Sequence, residues 1–556
     1  MEYSQLVDLY LELEKTTKRL EKRDLLAKFL TSCADEDLEH LISLLQGKVF
    51  PHYDERKLGI SSQLIIKIMA KAFGLSSEEV ERTWKELGDL GEVGKKLSIR
   101  KKQTTLFSKK LQSKKVFDNL QQLALLEGKG TESKKIDLVS ELLVNATSEE
   151  VRFIVRTVLE DLRIGVADGV LRDALAAAYH KEAHEIERAM DFLLDYGEVA
   201  YRAKHNELKN LGFRVGKPFR VMLCIKVDSV SEAFEAVGKP ALFDYKLDGF
   251  RVVVHKKGKN VTLFTRRMEN VTKQFAETLD TILKNVNCDS CILDTEFVGY
   301  DPKTKNYLPF QIISQRIRRK YDIEKIAKQF PVEINVFDIV YYNGKNLITM
   351  SQAERRKLIE KIVKGKKLDI AVTPGIITDD EKEVTSFFKK AISLGYEGLV
   401  AKKLDAHYQP GRRVEGWVKL KKEAENLDLV IVGAEYGTGK RTGFLSSFFL
   451  ACRDRNNFLE IGKVSTGIKE VAEEGVTLNM ITKILKPLIV KTEGRYVQLK
   501  PKIVMEVGYE EIQKSPTYSS GYALRFPRII RLREDKPVKE IATLSDVKNL
   551  YRKQVK

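Results

Sequence analysis

The sequence predicts three domains of different class in one chain: an all-α region, a mixed α/β (α+β) region and an all-β barrel. Three observations predict this. At 556 residues the chain is too long for a single hydrophobic core. Apolar residues follow helical spacing, without strand alternation, from residue 1 to 216. Short β-branched and aromatic runs then alternate with helical stretches over 217–424, and glycine-punctuated strand runs fill 425–556.

In VRFIVRTVLEDLRIG, Val151, Ile154, Val155, Val158, Leu159 and Leu162 make one apolar stripe, and Gly165 ends it. VLRDALAAAYH repeats the pattern. In the middle region ERRKLIEKIVK reads as a helix. FDYKLDGFRVVVH, the turn signal KKGKN and VTLFT read as a hairpin, with Lys246 ending its first strand. DLVIVGAEYG, FLSSFFLACR and YVQLKP read as strands of a small barrel or sandwich. There is no internal repeat and no low-complexity tract.

Charged residues make up 32% of the chain, above the usual quarter, and Lys and Glu carry much of the excess, as in heat-adapted proteins. The net charge of +18 favours a polyanionic partner, because basic surface displaces counterions from a phosphate backbone. No stretch has the length and apolarity of a membrane span, and the acidic start MEYSQLVDLYLELEK is unlike a signal peptide, so the sequence predicts an intracellular protein. Five scattered cysteines agree with that. Cys288 and Cys291 form one CDSC pair with no second pair to complete a zinc site, which leaves free thiols or a disulfide open.

In the middle region charged residues recur at the ends of strand-like runs. FTRRME carries Arg266 and Glu269, CILDTEFVGYD carries Asp294 and Glu296, and INVFDIVYYNG carries Phe337 and Asp338. YEGLVAKK carries Glu397 and Lys402, and GRRVEGWVKLKK carries Arg413, Lys419 and Lys421. Any one of these suits an ordinary strand end, a core or a solvated face; the ordered set does not.

In that order KLDGFR, TRRMEN, LDTEF, VFDIVYYNG, EGLVAK, WVKLKK and LRFPRIIRLREDK resemble the motifs of the archaeal and eukaryotic replicative type of ATP-dependent DNA ligase, a branch of the covalent nucleotidyltransferases. The resemblance covers nearly the whole chain. It implies a helical DNA-binding domain, an adenylation domain and an oligonucleotide-binding (OB-fold) barrel with a C-terminal helix. It implies that Lys246 takes AMP from ATP, with Arg251 its companion, and that Phe337 stacks on adenine. Glu296 and Arg266 would hold the ribose, Arg413 the nucleotide, and Lys402, Lys419 and Lys421 would lie along it. Glu397, then Glu296, would bind magnesium or manganese, and Arg533, Asp535 and Lys536 would form the terminal Arg-x-Asp-Lys motif. One position departs from the pattern: Asp244 stands where the family carries a glutamate that accepts from the adenine amine.

Free lysine has a pKa of about 10.4, so only on the order of one in a thousand is a nucleophile at neutral pH. The sequence predicts that Lys419, Lys421 and the metal outweigh Asp248 and lower the pKa of Lys246. The products would be a lysyl-AMP, then an adenylated 5′-phosphate, then a sealed nick in duplex DNA during replication, repair and recombination.

GKGTESKK and EDLRIGVADG resemble minor-groove-contacting segments of the family, with Lys129, Thr131, Lys134 and Arg163 as contacts. In RKKQTTLFSKK, Gln103, Leu106 and Phe107 resemble a shortened sliding-clamp-binding peptide. The expected partners are therefore nicked DNA and a ring-shaped (PCNA-type) clamp, bound by a monomer. Two alternatives differ in class. An RNA ligase or capping enzyme would lack the large helical domain, and a capping enzyme would label with GTP. A non-catalytic nucleic-acid-binding protein would never take up AMP.

Overall fold

The structure, a computed structural model, describes the chain except residues 52, 55, 100–109, 127, 129, 309–312, 314, 315, 318–321, 412, 423, 424, 438–440, 469–475 and 556, and except the side chains of 210, 413–415, 425 and 555. The chain separates into two compact units, Met1–Lys421 and Lys422–Lys556.

The first unit begins with helices from Tyr3–Glu14 to Tyr196–Lys204. The predicted stripe forms the helix Ser148–Val158, started by a capping box in which Thr147 and Glu150 satisfy each other's backbone N–H. VLRDALAAAYH lies in the helix Asp168–Ala178, apart from its last two residues. The helical core continues into the α/β part, where Val253, Ile292, Val340, Tyr408 and Trp417 join it.

Two sheets make the α/β part. One has the order β1 (Leu223–Val227), β11 (Arg413–Lys421), β10 (Gly398–Lys403), β2 (Ala241–Lys246) and β9 (Gly375–Thr378). The other runs β4 (Asn260–Thr265), β3 (Phe250–Lys257), β5 (Ser290–Gly299), β6 (Val332–Tyr342) and β7 (Lys345–Asn346), with β8 (Ile370–Val372) also on β6. ERRKLIEKIVK lies in the helix Gln352–Ile362, apart from its last two residues.

The hairpin reading of FDYKLDGFRVVVH needs correction. The hairpin is β3–β4, while Lys246 ends β2, which belongs to the other sheet. The chain crosses between sheets at Leu247–Asp248–Gly249. Gly249 is required there, since a Cβ would lie 2.3 Å from the Phe297 carbonyl oxygen. Periodicity along the run cannot reveal a change of sheet, because both strands alternate alike.

The second unit is β-rich. Its central strand β12 (Glu425–Tyr436) pairs on one edge with β13 (Leu445–Asp454), which carries β14 (Asn457–Val464). On its other edge β12 pairs first with β17 (Val504–Tyr509) and then with β16 (Tyr496–Leu499), which carries β15 (Ile489–Glu493). A register shift between Ile431 and Gly433 bends β12 where it changes partner, and the sheet coils into a half-barrel. A hairpin of β18 (Glu511–Lys514) and β19 (Tyr522–Arg525) follows, and β20 (Arg528–Leu532) returns to β17. The helix Leu544–Val555 closes one end with Val547 fully buried.

Candidate functional site

The pleat of the first sheet sorts the motifs. Lys246 lies opposite Gly398, which lies opposite Lys421; Asp244 opposite Val400, then Lys419; and Lys402 opposite Trp417. Directly paired residues share a face, so Asp244, Lys246, Lys402, Lys419 and Lys421 lie on one face of the sheet. The intervening Phe243, Tyr245, Leu399, Ala401, Val418 and Leu420 pack into the core on the opposite face.

Glu397 immediately precedes β10 and donates its N–H to the Lys246 carbonyl at 2.9 Å. Its Oε2 lies 2.7 Å from Lys246 Nζ and 2.8 Å from Lys421 Nζ. Burial would raise the Glu397 pKa, but the two ammonium groups prevail and bring it down to about 2. Lys246 answers in the opposite sense: burial would lower its pKa, yet Glu397 and Glu296 outweigh burial and raise it. The protein's own charges therefore act in the direction opposite to the lowering expected from Lys419, Lys421 and a bound metal together. The anion beside Lys246 lies at the start of the neighbouring strand in space but 151 residues away in sequence, and Lys421 pairs with that same anion. Glu296 is pushed up to about 8, chiefly by burial against the opposing pull of Lys246 and Arg251.

Arg251 sits directly opposite Glu296 across β3 and β5. Its guanidinium is bidentate on Asp294, at 2.8 and 2.5 Å, and donates to the Met222 carbonyl at 2.6 Å. The Tyr408 hydroxyl donates to the same Asp294 carboxylate at 2.8 Å and accepts from the Met222 N–H at 3.1 Å. Arg251 is therefore fixed from three sides. Arg266 is exposed in the turn after β4, one residue beyond the Thr265–Val252 pair, where Glu269 accepts from Thr265 Oγ1 at 2.9 Å.

Phe337 keeps part of its surface exposed. Lys402, in contrast, is 1% exposed, with Nζ 3.0 Å from the Phe337 carbonyl oxygen and 2.7 Å from Asp244 Oδ2. Asp244 is likewise buried, and Arg356 holds its Oδ1 at 2.9 Å. Asp338 is fully buried and paired with Arg355, a structural role. Arg413 begins β11; its side chain lies outside the described set.

The sequence reading missed Tyr408, Arg355 and Arg356. The arginines carried a signal: with Ile359 and Ile362 they occupy the buried stripe of their helix, where arginine needs a buried anion. Tyr408 carried none.

Of the helical-region residues, Thr131 starts the helix Thr131–Asn145 and donates to the Gly128 carbonyl at 2.9 Å, and Lys134 is exposed in its first turn. Arg163 is at φ 60° and is tied to Asp161 at 2.5 Å and Asp89 at 2.8 Å. Lys129, Gln103, Leu106 and Phe107 lie outside the described residues. In the second unit Arg533 bridges Asp535 at 2.8 Å and Asp428 at 3.1 Å, and Lys536 meets Asp428 at 2.6 Å. The Arg533 hydrogen bond brings Asp535 down to about 2. Cys288 and Cys291 are free thiols.

Among the described residues no helix is long and apolar enough to cross a membrane, and no group of three or more His, Cys, Asp or Glu could by itself hold a metal ion. The pair Glu296 and Glu397 nevertheless suits a hard cation that takes one or two carboxylates and completes its shell with substrate phosphates and water.

Three family descriptions match this chain: DNA ligase N terminus over residues 2–176, ATP dependent DNA ligase domain over 221–421, and ATP dependent DNA ligase C terminal region over 441–536. It is similar over its length to proteins named DNA ligase. The one from Nanoarchaeum equitans is 46% identical, covering 100% of this chain and 99% of the relative. That from Thermococcus onnurineus is 42% identical, covering 99% and 98%. A solved structure named Pmar-Lig_PreS3 is 17% identical with a TM-score of 0.56, covering 95% of this chain and 99% of that one, which is a likeness of fold.

Proposed function

Because the chain belongs to the ATP-dependent DNA ligases, we propose that Lys246 is the nucleophile through which it seals nicks. The observation that carries this is the register of β2, β10 and β11, which gathers Lys246, Lys419 and Lys421 on one sheet face, with the Glu397 carboxylate 2.7 Å from Lys246 and 2.8 Å from Lys421. The amine of Lys246 attacks the α-phosphate of ATP; the N–P bond forms, the Pα–O bond to pyrophosphate breaks, and the amine loses a proton. AMP then passes to the 5′-phosphate of the nick, freeing Lys246. The neighbouring 3′-hydroxyl attacks that phosphate and AMP departs.

The resting pair with Glu397 keeps Lys246 an ammonium, which protects the nucleophile until substrate arrives. When Glu397 is drawn away, burial is the main force left on Lys246, and burial favours the neutral amine. Glu397 and Glu296 would hold Mg2+ or Mn2+, which supplies Lewis-acid stabilisation of charge on the phosphate when bound. Lys419 and Lys421 neutralise the same charge from the sheet. Phe337 stacks on the base, Glu296 and Arg266 take the ribose, and Arg251, Arg413 and Asp244 complete the nucleotide site.

Residues 1–216 serve as the DNA-binding domain, 217–424 as the adenylation domain and 425–556 as the OB-fold domain. Thr131, Lys134, Lys129 and Arg163 contact backbone phosphates, reading duplex shape rather than sequence. Arg163 must exchange its acidic partners for phosphate to do so. Gln103, Leu106 and Phe107 dock on a sliding clamp, and the protein works inside the cell as a monomer. The test is to incubate the protein with ATP, GTP or NAD labelled in the transferred nucleotide and to map the labelled peptide. Label from ATP on Lys246, lost in Lys246→Ala with nick binding retained, is the expected result; label on another residue refutes it.

A further inference from the structure

Lys402 lies on the same sheet face as Lys246, but its side chain is 1% exposed and its ammonium is taken up by groups of the protein. Its surroundings assign it a different task. The register between β5 and β6 shifts at Phe337: Asp294 pairs with Asp338 and Thr295 with Val336, so Phe337 is the extra residue of a β-bulge. A bulge re-aims a side chain and leaves its backbone outside the ladder. Lys402 Nζ donates to that carbonyl at 3.0 Å. The same ammonium lies 5.0 Å from the centre of the Phe337 ring and 4.6 Å from that of Trp417.

We infer that Lys402 is a positioning residue for base recognition, acting through Phe337: its buried ammonium fixes the bulge carbonyl and supports the ring, leaving the exposed part of Phe337 for the base. This rests on the reading that Phe337 stacks on the base of ATP. The ammonium is buried while Phe337 is partly open, so the charge lies on the protein side of the ring. A cation at one face of an aromatic ring is attracted by its quadrupole and draws electron density from the other face, which favours stacking of an electron-rich purine there. Asp244 Oδ2, at 2.7 Å, supplies the counter-charge that a buried ammonium needs. Arg356 anchors Asp244 at 2.9 Å and donates in turn to the Thr373 carbonyl at 2.9 Å. The relay Arg356, Asp244, Lys402, Phe337 thus links the helix Gln352–Ile362 to the base platform.

The test measures covalent labelling of Lys246 by ATP against ATP concentration, in the full chain and in Lys402→Met. The half-saturating ATP concentration should rise by at least about tenfold, with the limiting rate changed by less than about threefold. Inhibition by tripolyphosphate, which carries the phosphates without the base, should be unchanged. In a Phe337→Leu background, Lys402→Met should add less than about twofold, because its route of action is gone. Weaker tripolyphosphate inhibition would show a phosphate contact and overturn the inference, as would an undiminished effect in the Phe337→Leu background or an unchanged ATP dependence. If Lys402→Met does not fold, Lys402→Gln, which retains a donor for the carbonyl without the charge, is read by the same criteria. A wild-type chain that takes no label from ATP defeats the nucleophile assignment itself, a result distinct from all of these.

Discussion

Lys246 and Glu397 form an ion pair at 2.7 Å, and the same Glu397 oxygen lies 2.8 Å from Lys421. Glu397 raises the Lys246 pKa against the opposing effect of burial. Removing the charge in Glu397→Gln should therefore let burial prevail and lower that pKa. The acid limb of the pH profile for self-adenylation should move to lower pH, while the maximal rate falls by about a hundredfold because an electrostatic stabiliser is lost. A limb moved to higher pH would contradict this role.

Gly398 has a φ of 143°, and a Cβ on it would lie 2.1 Å from the Leu420 carbonyl oxygen. Gly398→Ala should force β10 away from β11 and displace Glu397. We expect a loss of stability of about 3 kcal/mol or more in denaturant unfolding, with self-adenylation reduced more than nick binding. Wild-type stability would show that the strand pair can yield.

His255 is buried, with Nδ1 accepting from the Gly216 N–H at 3.0 Å where the helical and α/β parts join. Burial lowers its pKa from 6.5 to about 3. The folded chain therefore refuses a proton that the unfolded chain accepts below 6.5, so this group's contribution to stability is present above pH 6.5 and falls as pH drops toward 3. His255→Gln should remove up to about 1.4 kcal/mol per pH unit from the slope of unfolding free energy in that window. Equal slopes for the two proteins would exclude His255 as the cause.

The terminal motif is best probed by point substitution, since a truncation at Asp535 would also remove the helix that buries Val547. Arg533→Ala with Lys536→Ala leaves that helix in place. Self-adenylation should fall by at least about a hundredfold while sealing of a pre-adenylated nick falls by less than about tenfold, the outcome expected if Arg533 and Lys536 assist only the first step. Matching losses in both assays would tell against a step-specific role.

Leu106→Ala with Phe107→Ala should abolish binding to the cognate clamp and clamp-stimulated sealing, with activity in the absence of clamp unchanged. Binding at wild-type affinity would remove this segment as the docking site.

The sequence by itself determined the order of secondary structure, the motif set and the class of chemistry, because hydrophobic periodicity and residue type are local properties. The stripe of Val151 to Leu162 became a capped helix, and the runs around Lys246, Glu296 and Phe337 became strands. Tertiary structure alone decided which charges meet. Pairing of β2, β10 and β11 brought Glu397 between Lys246 and Lys421, so that the protein's own charges raise the Lys246 pKa. A bulge in β6 and burial in the sheet set the Lys402 ammonium against the Phe337 carbonyl and Asp244. Coulomb interaction and desolvation depend on distance through space and on exclusion of water, and neither quantity is written in the spacing of residues along a chain.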